Sequence, residues 1–239
     1  MTSWRRTGRL VTPQALSTMA VRLTGKSTTY KDAEGKPYYA RQFIVPRVEL
    51  NELIITDIPG VENLNGPPDF DGTIGMALIR NFNLLVDYSE EKVTLFRKDD
   101  YPGFLSNEQW SAHRFRKPLQ LRVRFDFSDA EYEMGLDTGF SVTAIPKASD
   151  LGQELVSNLK IGDQHRTINT RTGKEVFMYN LEHIYLDGYD LGNNTCILSD
   201  APTYMGNGLM GFDFFNNNKV FLDFGNGRVW LKRIGGSPR

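Results

Sequence analysis

Two stretches of this chain carry one pattern, and any fold it adopts has to accommodate both. Gly72-Thr73-Ile74-Gly75-Met76-Ala77-Leu78-Ile79-Arg80-Asn81 aligns without a gap on Gly208-Leu209-Met210-Gly211-Phe212-Asp213-Phe214-Phe215-Asn216-Asn217. The same register holds through Asp87-Tyr88 against Asp223-Phe224, and on to Val93-Thr94-Leu95 against Val229-Trp230-Leu231. Glycines, Asn, Asp, Val and Leu recur at matched places. A self-similarity of this length reads as a duplicated unit rather than as one irregular domain.

The second unit holds the chemistry. Leu121, Val123, Phe125 and Phe127 alternate, then Tyr132, Met134 and Leu136 alternate again, which predicts two strands running into Asp137-Thr138-Gly139. The loop continues as Phe140-Ser141-Val142-Thr143-Ala144-Ile145-Pro146, and Leu209-Met210-Gly211 follows far downstream. In the first unit Arg6-Thr7-Gly8 stands at the related place and is followed by Val11-Thr12-Pro13. That unit keeps Thr-Gly, has Arg where the Asp belongs, and lacks a counterpart of the strand pair at 119–136.

An apolar residue, Asp-Thr-Gly, a small hydroxylated residue, then Thr, Ile and Pro, with an apolar-apolar-Gly element further on, resembles the retropepsin-like aspartic peptidases. The resemblance covers residues 119–232 well and the N-terminal stretch loosely. It implies an all-β chain of two acid-protease-type β-barrel lobes related by a pseudo-two-fold axis, with few short helices. The expected organisation is an incomplete lobe at 1–97, a connector at 98–118, a complete lobe at 119–232 and a tail at 233–239.

The resemblance also assigns roles. Asp137 is the catalytic carboxylate, Thr138, Gly139 and Ser141 shape its loop, and Leu209, Met210 and Gly211 thread behind it. The hairpin tip Thr172-Gly173-Lys174 is the flap, and Arg6-Thr7-Gly8 is the degenerate counterpart of the Asp loop. In such chemistry two carboxylates share one proton across a water, so that one serves as base and the other as acid. No metal or cofactor enters, and the substrate is a peptide or protein.

This chain carries Asp-Thr-Gly once. Three readings therefore stand open: a second Asp supplied by another copy in a homodimer, missing strands and a first Asp lying upstream of Met1, or a non-catalytic protein that keeps the cleft to bind peptides. In the last case Arg6 arrives beside Asp137 and holds it ionised.

Elsewhere the pattern reads as short strands. Ala15 to Val21 fits a short helix or a strand. Tyr30 to Tyr39 reads as a polar hairpin. Phe43-Ile44-Val45 and Val48-Glu49-Leu50 read as strands interrupted by Pro46, and hence as lying at a sheet edge. Ser106-Asn107-Glu108-Gln109 has capping-box spacing for one helical turn. Ser149 or Asp150 caps a helix with Leu151, Leu155 and Leu159 on one face. Val220 to Phe224 and Arg228 to Leu231 flank an Asn226-Gly227 turn.

Composition narrows the remaining classes. A formal charge of −1 gives no electrostatic case for nucleic acid or an acidic membrane surface. The lone Cys196 reads as a core residue, no apolar run spans a bilayer, and the expected setting is cytoplasmic. His113, His165 and His183 lack ligand-like spacing to one another or to Cys196. Thr24-Gly25-Lys26-Ser27-Thr28 resembles the end of a phosphate-binding loop, but Ala20 stands where that motif needs a Gly.

Overall fold

A computed structural model of the chain describes residues 9–31, 37–50, 53–62, 71–107, 109–116, 119–139, 141–158, 164–168, 175–200 and 206–234. The expected features at Arg6-Thr7-Gly8 and at Thr172-Gly173-Lys174 lie outside these residues. The chain forms two compact units, Met1–Phe82 and Asn83–Arg239.

In unit 1 a five-stranded sheet runs in the order β2-β3-β4-β1-β5, with β1 at Arg9–Val11, β2 at Arg22–Lys31, β3 at Pro37–Leu50, β4 at Leu53–Glu62 and β5 at Gly72–Ile74. The ambiguous segment resolves as helix α1, Pro13–Thr18. Pro13 opens it with a preset φ, and the Thr12 hydroxyl accepts from the Ala15 N–H at 3.3 Å. Its buried Ala15 and Leu16 pack with Val11, Phe43, Val45 and Ile58. A second short helix, α2, spans Met76–Ile79.

Pro46 does not divide β3 in two. The strand runs through it, because β2 ends its pairing at Ile44 and the ladder to β4 skips Pro46 and Asp57, whose φ is 51°. The edge expected of a strand proline thus exists only locally. Thr24 to Thr28 belongs to β2, where the register shifts between Leu23 and Ser27 around Gly25 at φ 73°. The glycine serves a bulge there.

Unit 2 contains two sheets. In the nine-stranded one the order is β12-β13-β16-β11-β17-β10-β9-β14-β15. Its strands are β9 (Gln120–Phe125), β10 (Glu131–Leu136), β11 (Thr143–Pro146), β12 (Gln164–Ile168), β13 (Glu175–Leu181), β14 (Ile184–Leu186), β15 (Tyr189–Asp190), β16 (Asn194–Ser199) and β17 (Leu209–Met210). The alternation in the sequence is realised on one face: Leu121, Val123, Phe125, Tyr132, Met134 and Leu136 are all buried. Phe127 falls past the end of β9 and stacks on Phe125. Helix α4, Asp150–Asn158, buries Leu151 and Leu155 and is capped by Ser149, whose hydroxyl accepts from the Gly152 N–H at 3.0 Å.

The second sheet runs β7-β6-β18-β19-β8, built from β6 (Phe82–Asp87), β7 (Lys92–Arg97), β8 (Ser111–Arg114), β18 (Asn218–Asp223) and β19 (Arg228–Arg233). Hydrogen bonding to β18 draws the β6–β7 hairpin into this unit. The segment expected as a connector with one helical turn also supplies β8, which pairs with β19. Its helical turn, α3, is Phe104–Asn107, ending where the capping box placed a start. Ser106 is helical there and donates to the Gly103 carbonyl at 2.7 Å, so it is no N-cap.

The two hairpins are built alike. Each has a short turn of equal length, 88–91 and 224–227. Asp87 accepts from the Glu90 N–H at 3.3 Å and Asp223 from the Asn226 N–H at 2.9 Å. Glu91 (φ 49°) and Gly227 (φ 65°) occupy the same turn position. Helix α5, Phe212–Asn217, leads into β18 and buries Phe214 and Phe215.

Candidate active-site loop

Asp137 follows the last residue of β10, and its backbone is fixed by a strand from far along the chain. β17 lies between β10, which it pairs in parallel (Gly135↔Leu209, Leu136↔Met210), and β11, which it pairs antiparallel (Ala144↔Leu209). Gly135 N–H donates to Gly208 O at 2.9 Å and Asp137 N–H to Met210 O at 3.0 Å. Gly208 makes the insertion possible: at φ 149° a Cβ there would lie 2.4 Å from the Ala144 carbonyl oxygen, a main-chain atom, whereas one at Gly135 would meet only the movable Cδ2 of Leu209, at 2.6 Å. Gly211 is buried at the start of α5.

Beyond β10 the chain turns on the Asp137 side chain itself. Gly139 N–H donates to Asp137 Oδ1 at 2.9 Å, an Asx-type turn. The Asp137 carboxyl is half-buried, while Thr138, Gly139 and Ser141 are exposed around it. Burial pushes the carboxyl above its ordinary range, and the Gly139 N–H opposes that shift. Among the described residues no second carboxylate contributes to it. A carboxyl so placed holds a proton to higher pH, which suits an acid or a base but not both at once.

Sequence reasoning missed Tyr88. Its hydroxyl donates to the Thr138 carbonyl oxygen at 3.3 Å, and its ring packs on Phe212 and Phe215, with centroids at 5.4 and 5.8 Å. Desolvation and then the Asp137 charge raise the phenol above its ordinary value. The signal was in the repeat, which sets Tyr88 against Phe224: one aromatic of the pair carries a hydroxyl.

The other polar groups stand apart from this loop. His113 Nε2 lies 2.8 Å from Ser111 Oγ and its Nδ1 3.1 Å from Asp187 Oδ2, while His183 Nδ1 lies 3.2 Å from Asp190. Among the described residues no group of three or more His, Cys, Asp or Glu side chains is arranged to hold a metal ion. Cys196 is buried in β16, with its thiol pushed up to about 12.

No family model matches this sequence, and no curated protein matches it. Among solved structures the chain is similar to the aspartic proteinase from Irpex lacteus, with a TM-score of 0.56 and 10% identity. That match covers 90% of this chain and 83% of the other. The fold is all-β and of the aspartic-proteinase type.

Proposed function

We propose that the chain is an aspartic-type endopeptidase-like protein of the retropepsin-like kind, with Asp137 as the carboxylate that activates water against a peptide bond. The observation that carries this reading is the threading of β17 between β10 and β11, with the Asp137 N–H on Met210 O and the Gly139 N–H on the carboxyl. A turn Asp with only a local role does not require a strand from so far along the chain to set its backbone. In the proposed reaction one carboxylate takes a proton from the water and a second gives one to the carbonyl oxygen. The given sequence carries Asp-Thr-Gly once; in this proposal the second carboxylate is supplied by a second copy of the chain, with sequence ahead of Met1 as the alternative source.

The duplication read in the sequence belongs to the same proposal. β6 and β18 pair with Leu85 opposite Phe221, Leu84 opposite Leu222 and Val86 opposite Val220. The register of the repeat equates Leu85 with Phe221, so exchanging the two hairpins maps this ladder onto itself. The matched turns of Asp87 and Asp223 support the same view.

A second reading rests on the absence, among the described residues, of a carboxylate coupled to Asp137: the cleft binds extended peptides without cutting them. One experiment separates the two. The full chain is incubated with unstructured peptides bearing apolar residues at the cut, at acidic to neutral pH, over a range of protein concentrations. Cleavage that rises with the square of concentration, disappears in Asp137→Asn and ignores a chelator is the expected result. Retention of a statine-containing peptide with no cleavage at any concentration makes the chain a binding module. Cleavage that survives Asp137→Asn refutes the site.

A further inference from the structure

The proposed activity leaves unused a cleft of about 510 Å3 in unit 2, lined by Ala112, Arg114 and Arg116 on one side and by Arg122, Glu131 and Asp187 on the other. One wall is the edge of a sheet. β8 is the last strand of the five-stranded sheet and, among the described residues, pairs with β19 alone. Phe115 N–H donates to Gly227 O at 3.0 Å, which continues the β8–β19 ladder past Arg114↔Arg228.

Hydrogen-bonded and non-bonded pairs alternate along an antiparallel ladder. Since Phe115 bonds inward, Ser111 and His113 do so too, and the N–H and C=O groups of Ala112 and Arg114 face the open side. Arg116 has the same parity and shows the direction, because its N–H donates outward to Gln120 O at 2.9 Å. Among the described residues nothing pairs with the main chain of Ala112 and Arg114 on that side. An open edge of this kind is a template for another strand.

Charge is gathered on the same edge. Arg114 stands directly opposite Arg228 in a non-bonded pair, where side chains approach most closely and like charges repel. Neither arginine has an ion-pair partner among the described residues, and nor does Arg116. The carboxylates of the cleft are already engaged. Glu131 lies 3.5 Å from Arg122 Nη1, and Asp187 lies 3.1 Å from His113 Nδ1.

We propose that the β8 edge receives an extended acidic segment of a partner protein, which adds a strand beside Ala112 and Arg114. One of its carboxylates lies over Arg114, and the next on the same face reaches toward Arg116, where the new ladder ends because Gln120 O already accepts the Arg116 N–H. The spacing follows from the period of a strand, since residues i and i+2 share a face on both sides of the new pair. The partner is therefore read by backbone pairing together with alternate negative charges.

The test uses fluorescence anisotropy on the full chain carrying Asp137→Asn, so that the peptide is not consumed. The probe is a short labelled peptide with Glu at alternate positions and Val or Thr between them. Saturable binding that weakens with salt is expected, and Arg114→Glu should reduce it by about tenfold or more, the weight of a charge-assisted hydrogen bond. N-methylation of alternate amides on the pairing edge of the peptide should abolish it with the charges unchanged. Both arginines are exposed, so an unaltered circular dichroism spectrum and Tm keep the loss specific.

Equal binding of the N-methylated peptide overturns strand addition. No binding of the parent peptide at low salt overturns the site. Tighter binding of a single-stranded oligonucleotide, equally lost in Arg114→Glu, overturns the choice of partner.

Discussion

Gly208→Ala tests whether the β17 insertion is what holds the Asp137 loop. Two costs are imposed at once. Gly208 has φ 149°, a conformation that costs an L-residue about 1–3 kcal/mol. The new methyl would also sit 2.4 Å from the Ala144 carbonyl oxygen and 2.9 Å from Met134 Cε. The first of these is main chain inside a sheet and cannot swing aside, so overpacking adds about 1–3 kcal/mol.

Together the loss is about 3 kcal/mol, which for a chain of this size lowers Tm by roughly 6–12 °C. Gly227→Ala is the control for backbone strain alone. It has φ 65° with nothing within 4 Å of a built Cβ, and should cost about 1 kcal/mol. Urea unfolding followed by tryptophan fluorescence reads both variants, since Trp110 and Trp230 lie in unit 2. If the free-energy losses of the two variants agree to within about 0.5 kcal/mol, the close approach at Ala144 does no work and the argument for β17 as the anchor of the loop fails.

The remaining predictions concern charge. Asp137 is raised by burial in the folded state, so its contribution to stability is full below the ordinary carboxylate range and is lost as pH rises through the raised value. Asp137→Asn should therefore stabilise unit 2 at neutral pH and not in acid; equal effects at both, by urea midpoints, contradict the burial argument. Glu62 behaves in the opposite sense. It accepts from Arg41 Nε at 2.8 Å and Nη2 at 2.6 Å, and those bonds hold it below its ordinary value. Its contribution is present above the ordinary carboxylate range and fades as pH falls through the lowered value, so Arg41→Ala should destabilise the chain at neutral pH more than in acid. Finally, Asp137→Asn should lower the Tyr88 phenol toward its ordinary value, read by the ultraviolet titration of wild type minus variant. An unmoved phenol would separate Tyr88 from the loop.

The strand pair that carries Asp137 was legible because its alternation is strict and one of its faces is wholly buried: Leu121, Val123 and Phe125, then Tyr132, Met134 and Leu136. The matched hairpins were legible because each turn repeats an Asp that accepts from the residue three places on. Pro46 misled, since a proline reports that an N–H is missing but not how far the neighbouring strand reaches; β2 stops pairing at Ile44. The strand in the connector was hidden for a related reason. Ser111-Ala112-His113-Arg114 carries little apolar pattern of its own, and it becomes a strand by lying beside β19. Tyr88 escaped because its role depends on a loop distant in the chain, with which no local pattern connects it.

The threading of β17 also sets an order of events in the life of the chain. Gly135 pairs with Leu209, so Asp-Thr-Gly leaves the ribosome long before the strand that fixes its backbone. At about 5–20 residues per second, synthesis of the stretch between them takes roughly 4 to 15 seconds. Through that interval β10 and β11 lack the strand between them, and the site waits on a contact of high sequence separation, a kind that forms slowly. A nascent chain, or one clipped ahead of residue 209, therefore carries the Asp-Thr-Gly letters without the geometry, and any reactivity of Asp137 is delayed until Leu209 and Met210 have been made.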